Sequence, residues 1–526
     1  MRLITAAEQK AIDRIWQERT GLPLLLLMED AAGAVAGQCR RLAQDRGKPS
    51  LPVLVLAGRG QNGGDAFACT RLLLASGWAV ACRELEPSAD LPPEAAANRQ
   101  ALRNLGCTLG LASADDFKAV TGGIIVDGLF GTGYRAGRQQ TPEFVRLIAE
   151  SEAARQNGAQ IVSIDLPSGL DADDGKTDAS CITADLTVTF VRSKPGLHLP
   201  GGRSHAGIIV VDTIGVGDGL VSDALSLNAP VMLLDHDEVC CWAPRRPADS
   251  HKGLFGKTML IGGSDGMPGA IMLAAEAAAR SGTGLLSLYV PQSIAPMILG
   301  ARPEALLTAI HDDQPKIDEL LAAAQFSQAV GIGPGIGQPA WLGALMAGLI
   351  GRAPGLVIDA DGLNHLARDP SSYWSLLRKR HVENGLSPAI LTPHPGEFRR
   401  LAPDLDPQDR LRSARLLADR SGCMIILKGQ ATVVAEPGGS CWINPTGNDG
   451  LARGGSGDVL CGLVTGLLAQ GMDPFLAAAA GVYLHGLSAD LAVAGTGRRT
   501  LVPRDVIAGL GHAFCQTGWE VGTLTT

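Results

Sequence analysis

The sequence predicts two α/β domains in tandem, each a parallel sheet with helices on both faces. Three observations predict it: a length of 526 residues, apolar runs alternating with helical patterns in both halves, and one central stretch where the alternation stops. A chain this long exceeds what one hydrophobic core of ordinary size organises. Its 67 glycines, without a collagen period, suit helices packed closely on sheets and loops that wrap ligands.

In the first half, residues 52–58 (PVLVLAG), 77–85 (GWAVACREL), 122–130 (GGIIVDGLF), 159–169 (AQIVSIDLPSG) and 184–191 (ADLTVTFV) read as buried strands. Each is short, rich in β-branched residues and mostly followed by glycine or a turn. Residues 66–77 and 142–156 carry helical patterns between them, so the strands pair in parallel through crossovers. The alternation breaks over residues 215–253, which end in a proline-rich run. The expected domains are therefore 1–225 and 226–526. The second half restarts at 257–263 (KTMLIGG) and alternates again through 284–290, 328–335, 355–362, 387–397, 423–429 and 431–436. It ends in two apolar helices, 457–471 and 474–493. The halves share a style but no short-period repeat.

A formal net charge of −8 argues against nucleic-acid backbone or an anionic membrane as a partner. A local pocket for a small phosphorylated ligand remains compatible with it. Eleven cysteines without a C-x-x-C pair read as reduced, mostly buried thiols of a cytoplasmic protein. The first 21 residues are polar and amphipathic rather than a leader, and the apolar run 22–28 is too short to span a bilayer. Small-molecule partners and assembly into a homo-oligomer are expected; the number of subunits is left open.

Chemistry-bearing residues in the first half gather at strand ends. The first strand runs into GRGQNGGDA, with a helix expected to begin near Asp65, and glycines before a helix start let backbone N–H groups face an anion. A plain βα turn is the bland alternative, but Asn62 and Asp65 add polar groups where ligands of open sheets bind. Asp127 sits in DGLFGTGYRAG, whose glycine spacing is not the dinucleotide fingerprint. Asp165 and Ser168 sit in IDLPSGLDADDG, where Pro167 and Gly169 turn the chain. One strand-end acid often only caps a helix; several in one half favour a shared pocket.

In order, N-G-G-D, D-G-L-F-G-T-G and D-L-P-S-G-L-D resemble the NAD(P)H-hydrate epimerase family over roughly residues 1–220. The resemblance implies a Rossmann-like three-layer domain and potassium held by Asn62, Asp127 and Ser168. It also implies substrate contacts at Gln61, Asn62, Gly63, Gly64 and Asp65, at Gly131, Thr132, Gly133, Tyr134, Arg135, Ala136 and Gly137, and at Asp165. Asp165 is the implied acid/base, relaying protons while the hydrated ring opens and recloses at C6. The chain departs from the family's pattern at Gln61, where asparagine is usual, and at Ala66, where glycine is usual. Gln61 keeps an amide and Ala66 falls inside the expected helix, so activity is expected to survive.

The strongest local signal in the second half is NPTGNDGLARGGSGDVLCGLVTGLL. Gly454, Gly455, Ser456 and Gly457 lead into an apolar helix with Asp458 in its first turn. Free N–H groups and the positive end of the helix dipole face any anion there, and Asp458 beside it is placed to accept a hydroxyl proton. Capping would explain Asp458 but not four small residues before it. No G-x-x-x-x-G-K-[ST] run is present, which disfavours a P-loop enzyme.

That loop resembles the ribokinase-like superfamily. With KGLFGKTMLIGGSDGMPGA, GIGPGIG, VIDADGLNHL, LTPHPGEF and LKGQATVV in order, residues 230–515 resemble the ADP-dependent NAD(P)H-hydrate dehydratase family. The resemblance implies a ribokinase-like three-layer α/β/α domain. It places Ala270, Gly335, His394 and Asp458 on the hydrated cofactor, and Lys428, Gly429, Gln430, Ala431, Thr432 and Gly457 on the adenine nucleotide. Asp359, Asp361 and Asn364 read as turn formers or as residues that support the site from behind. The implied reaction phosphorylates the C6 hydroxyl of the S epimer from ADP (or ATP), with Mg2+ on the phosphates; phosphate then leaves as the ring double bond returns. Two rivals differ in class: a small-molecule kinase with an appended binding domain, and a first half that is only an interaction module.

Overall fold

The computed structural model describes residues 1–87, 90–225, 229–247 and 249–520. The chain forms two compact units, Arg2–Leu227 and Asn228–Thr526, with Met1 grouped with the second. The expected boundary at 225/226 adjoins residues 226–228, which lie outside the described residues.

The first unit holds β1 (Val53–Ala57), β2 (Val80–Glu84), β3 (Ile124–Gly128), β4 (Gln160–Ile164), β5 (Leu186–Phe190) and β6 (Ile208–Asp212). They form one sheet in the order β2-β1-β3-β4-β5-β6, and every pair is parallel. Alternation along β1 shows why both faces are dry. Val53, Val55 and Ala57 belong to one apolar cluster with the helix Leu25–Asp45, while Leu54 and Leu56 belong to another with the helix Pro142–Gln156. The order reverses between β1 and β3, and that switch point opens a crevice at the strands' carboxyl ends.

The second unit has ten strands. These are β7 (Val231–Leu233), β8 (Lys257–Ile261), β9 (Leu285–Pro291), β10 (Leu306–Ile310), β11 (Ala329–Ile332), β12 (Gly355–Ile358), β13 (Ile390–Leu391), β14 (Met424–Leu427), β15 (Val433–Ala435) and β16 (Cys441–Ile443). Their order is β10-β9-β8-β11-β12-β13-β14-β15-β16-β7. Pairing is parallel from β10 to β14 and antiparallel through β15 and β16, a change the alternating pattern did not predict. The strands missing from the sequence reading, β6, β7, β10 and β16, lie at or next to sheet edges. Edge strands are covered less completely: Ile208 of β6 and Leu306 of β10 are exposed, and β7 and β16 have three residues each.

The helix Ser456–Ala469 is buried from Val459 to Ala469 because it packs between strands β8, β11 and β12 and the helices Pro268–Arg280 and Pro474–Thr496. The last of these is apolar and long enough over Pro474–Gly495 to cross a membrane. Here the alanines near its start, Ala477 to Ala480, lie in the unit's core.

Candidate active sites

In the first unit a cavity of ≈ 370 Å³ opens at the β1/β3 switch point. Gly60, Gln61, Asn62 and Asp65 reach it from beyond β1, Leu129 to Gly133 from beyond β3, and Asp165 from beyond β4. The helix after β1 starts at Gln61, not near Asp65, with extended Gly60 as its N-cap. The glycine pair therefore lies within the helix and serves packing. A Cβ on Gly63 would fall 1.9 Å from the Gly58 carbonyl oxygen, so only glycine lets the helix meet the turn after β1. Gly63 and Gly64 do not line the cavity.

The second glycine-rich loop divides likewise. Gly131, Thr132 and Gly133 line the cavity; Tyr134, Arg135, Ala136 and Gly137 do not. Tyr134 is buried against Phe130 and Phe144, with its hydroxyl 2.5 Å from Asp178. The Gly137 N–H donates to the same carboxylate at 2.9 Å, and Arg135 pairs with Asp171 and Asp173. Those residues brace the loop.

Asp127 is completely buried and accepts from Ser163 Oγ at 2.8 Å, Ser168 N–H at 2.9 Å, Ser168 Oγ at 2.5 Å and Leu129 N–H at 3.3 Å. Burial pushes its carboxyl above the usual range despite these donors. Asn62 is buried beside Gly131, and its side-chain Nδ2 has no partner. Asp165 follows β4 at φ +65° and accepts at Oδ1 from Lys194 Nζ (2.6 Å) and Thr189 Oγ1 (3.0 Å). Asp13 and Asp65 line the same cavity, and burial drives both carboxyls up, Asp65 well above its ordinary value.

Sequence reasoning missed several residues here. Gln9, Lys10 and Asp13 come from the helix Ala6–Thr20, and Leu27, Met28 and Ala31 from the helix Leu25–Asp45. They carry no motif, only amphipathic spacing. Lys194 had one usable signal, a lysine just past an apolar strand.

In the second unit the implied residues meet at the carboxyl ends of four adjacent parallel strands. Gly335 follows β11 at φ +63°, and a Cβ on it would lie 3.0 Å from the Ala270 Cβ, so these two positions are neighbours. Asp359 follows β12, His394 follows β13 and Lys428 follows β14. Asp458 is the third residue of the helix Ser456–Ala469, whose N-cap, Gly455 at φ +95°, supplies no side-chain cap. The helix start thus keeps uncapped N–H groups beside an acid.

Lys428 organises this centre. Its Nζ lies 2.7 Å from Asp359 and 3.8 Å from Glu397, and only 3.1 Å from where a Cβ on Gly457 would be. Glycine at 457 therefore lets the ammonium reach the helix start. The resemblance places Lys428 on the adenine nucleotide; in the structure its ammonium is also paired with buried Asp359. Asp458 is pushed up to about 7, by burial first and the Asp359 carboxylate second, with Lys428 opposing.

His394 caps the helix Pro395–Leu401, its Nδ1 accepting from the N–H groups of Gly396 (2.9 Å) and Glu397 (3.4 Å). That leaves the ring proton on Nε2, 3.4 Å from Glu397 Oε1. Burial first, then Lys428 and Arg400, hold the imidazole below its usual range, hence neutral. Glu397, unassigned from the sequence, is buried, and burial raises its carboxyl.

The Lys428 to Thr432 loop is strained, with Gly429 at φ +140° and Ala431 at φ +55°. Gly429 and Gln430 are exposed, Ala431 is buried, and the Thr432 hydroxyl donates back to the Gly429 carbonyl at 3.0 Å. Buried Arg410 clamps the loop from below through the carbonyls of Leu427 (2.6 Å), Lys428 (3.2 Å) and Ala431 (3.2 Å). Asp361 accepts from the Gly337 N–H at 2.9 Å and from Asn364 Nδ2 at 3.2 Å, bracing the loop after β11.

Comparison with known proteins agrees across both units. A family profile described as NAD(P)H-hydrate dehydratase matches residues 258–510, and one described as YjeF-related protein N-terminus matches 25–196. The chain is 34% identical over 546 residues to a bifunctional NAD(P)H-hydrate repair enzyme of Moorella thermoacetica, covering 100% of this chain and 98% of that one. It is 35% identical over 514 residues to the Escherichia coli enzyme of that name, covering 96% and 92%. Among solved structures, a Bacillus subtilis ADP/ATP-dependent NAD(P)H-hydrate dehydratase co-crystallised with ATP/Mg2+ is 34% identical with TM-score 0.47, covering 56% of this chain and 100% of that chain. Near-full-length identity at this level, with both profiles in order, establishes that the chain belongs to the bifunctional NAD(P)H-hydrate repair enzyme family.

Proposed function

We propose that the two units divide the repair of hydrated NADH and NADPH between them. The first exchanges the R and S epimers at C6, and the second dehydrates the S epimer at the expense of ADP (or ATP), releasing AMP (or ADP) and phosphate. The observation that carries the reading is Asp458 at an uncapped helix start, beside Lys428 and at the mouth of four strand ends. Asp458 takes the proton of the C6 hydroxyl as its oxygen attacks the terminal phosphorus. The phosphate then leaves as C5 loses a proton and the C5–C6 double bond forms. In the first unit Asp165 serves as acid/base, with the apolar cavity wall of Leu24, Leu27, Met28 and Phe190 against the ring.

Potassium suits the residues implied for it. Asn62 is buried with its amide oxygen 3.0 Å from where a Cβ on Gly131 would stand, Asp127 has a fully buried carboxylate, and Ser168 a hydroxyl between Asp127 and the Phe130 carbonyl at 3.2 Å. Such a cation would offset the Asp127 charge and tie the loops after β1, β3 and β4. In the second unit Asp359, Glu397 and Asp458 surround one lysine, an excess of acid that Mg2+ arriving on the nucleotide phosphates would offset. A cytoplasmic homo-oligomer completes the proposal, in keeping with eleven unpaired cysteines.

The test is to incubate the protein with mixed hydrate epimers and ADP while following the absorbance of reduced nicotinamide. Complete recovery is expected. A plateau at the S share would leave only the dehydratase, and ADP consumption without hydrate would favour the kinase alternative. Dehydration should also rise with pH through about 7, because Asp458 acts as a base only when ionised. A kcat/KM profile flat from pH 6 to 8, roughly a unit either side, would contradict that role.

A further inference from the structure

We infer that Lys194, acting with Thr189, is a positioning residue for epimerisation, fixing one oxygen of Asp165 so that the other faces the substrate. The inference rests on the proposed role of Asp165 and deepens it.

Lys194 is fully buried, and an ammonium removed from water is costly unless its donors are all satisfied. Here they are. Nζ reaches Asp165 Oδ1 at 2.6 Å, Thr189 Oγ1 at 3.0 Å and the Phe190 carbonyl at 3.0 Å. With three donors spent and no place on the cavity wall, Lys194 does not touch substrate. Thr189, also buried, donates its hydroxyl hydrogen bond to Asp165 Oδ1 at 3.0 Å. One carboxylate oxygen therefore takes both bonds. The other, Oδ2, lies 3.3 Å from where a Cβ on Gly131 would stand, and Gly131 is on the cavity wall.

The backbone adds to the clamp. Asp165 is not glycine yet sits at φ +65°, with its N–H held by the Val188 carbonyl at 2.7 Å. A strained residue at a ligand site persists only where its surroundings over-determine it. Asp165 is also faced by Asp13 from the helix Ala6–Thr20 and Asp65 from the helix Gln61–Ala75. Lys10, Arg59 and Arg138 line the same cavity. Lys194 is the buried cation bonded to Asp165 in this group of acids, so it opposes their mutual repulsion at the point where the base must stay in place.

The reaction needs this order. The C6 hydroxyl proton passes to Oδ2, the C6–O bond becomes a carbonyl, the C6–N1 bond breaks, and N1 takes the proton back. Reclosure on the other face of C6 reverses each transfer, with no net change in protons or electrons. A carboxylate free to rotate would present either oxygen at varying angles, and proton transfer depends on that geometry.

The test uses the full-length chain and purified R epimer, comparing Lys194→Met, Thr189→Val, Asp165→Asn and the Lys194→Met/Asp165→Asn double variant. Epimerisation kcat should fall about 10- to 100-fold in Lys194→Met with KM within about twofold, the signature of a loss felt beyond substrate binding. Thr189→Val should lose less, about 3- to 10-fold, again in kcat. The double variant should be no slower than Asp165→Asn, since Lys194 acts only through that carboxylate. Unchanged kcat in Lys194→Met, a rise confined to KM, or a further loss in the double variant would overturn the inference. If Lys194→Met does not fold, Thr189→Val decides: a kcat loss at constant KM supports the clamp, and wild-type kcat overturns it. Full epimerisation by Asp165→Asn would instead defeat the underlying assignment of the base.

Discussion

Replacing Asp458 by asparagine is expected to slow dehydration of the S epimer by about 100- to 10,000-fold while leaving epimer exchange intact. Asparagine keeps the shape of the side chain, so the packing of Lys428 against Gly457 and the helix start is preserved. What it removes is a proton acceptor pushed up to about 7 by burial and by Asp359. The check is recovery of reduced nicotinamide from pure S hydrate with ADP, beside chromatographic measurement of epimer exchange. Loss of both activities in a folded protein would count against two independent sites.

Asp165→Asn should have the complementary effect. Epimer exchange should fall by about 100-fold or more, toward the uncatalysed rate, with dehydration of the S epimer unchanged. A mixture of epimers with ADP would then recover quickly to the S share and stall. The expectation follows from position: Asp165 is an acid on that cavity's wall whose Oδ1 is held by two buried donors. Full recovery at the wild-type rate would move the acid/base role elsewhere, with Asp65 next to be tested, since burial pushes its carboxyl well above the ordinary range.

Much of the fold was legible because buried parallel strands announce themselves. PVLVLAG and KTMLIGG are apolar on both faces and end in glycine, and they became β1 and β8. The edge strands β6 and β10 were not legible, since half-exposed runs such as Ile208–Asp212 lack that signature. The glycine cluster shows a limit of local reading. It was compatible with an anion-facing loop or a plain βα turn, and the close approach of the helix to the turn after β1 also demands glycine at 63, so the spacing alone does not separate these uses. Lys428 shows the same limit, because a lysine's partner is set by the fold: Asp359 lies 69 residues away in sequence and 2.7 Å away in space.

By itself the sequence determined two α/β units, the strand ends that carry Asp127, Asp165, His394 and Lys428, the helix start that carries Asp458, and the family to which their order belongs. Those follow from local patterns: burial periodicity, turn residues and motifs that a strand end displays. Only the tertiary structure decided which of these residues face a cavity, which brace a loop, and what charge stands beside each acid. Burial and counter-charge are properties of neighbours brought together by crossovers. The pairing of Asp165 with Lys194 and the wedging of Lys428 against Gly457 thus became visible only once the sheets were assembled.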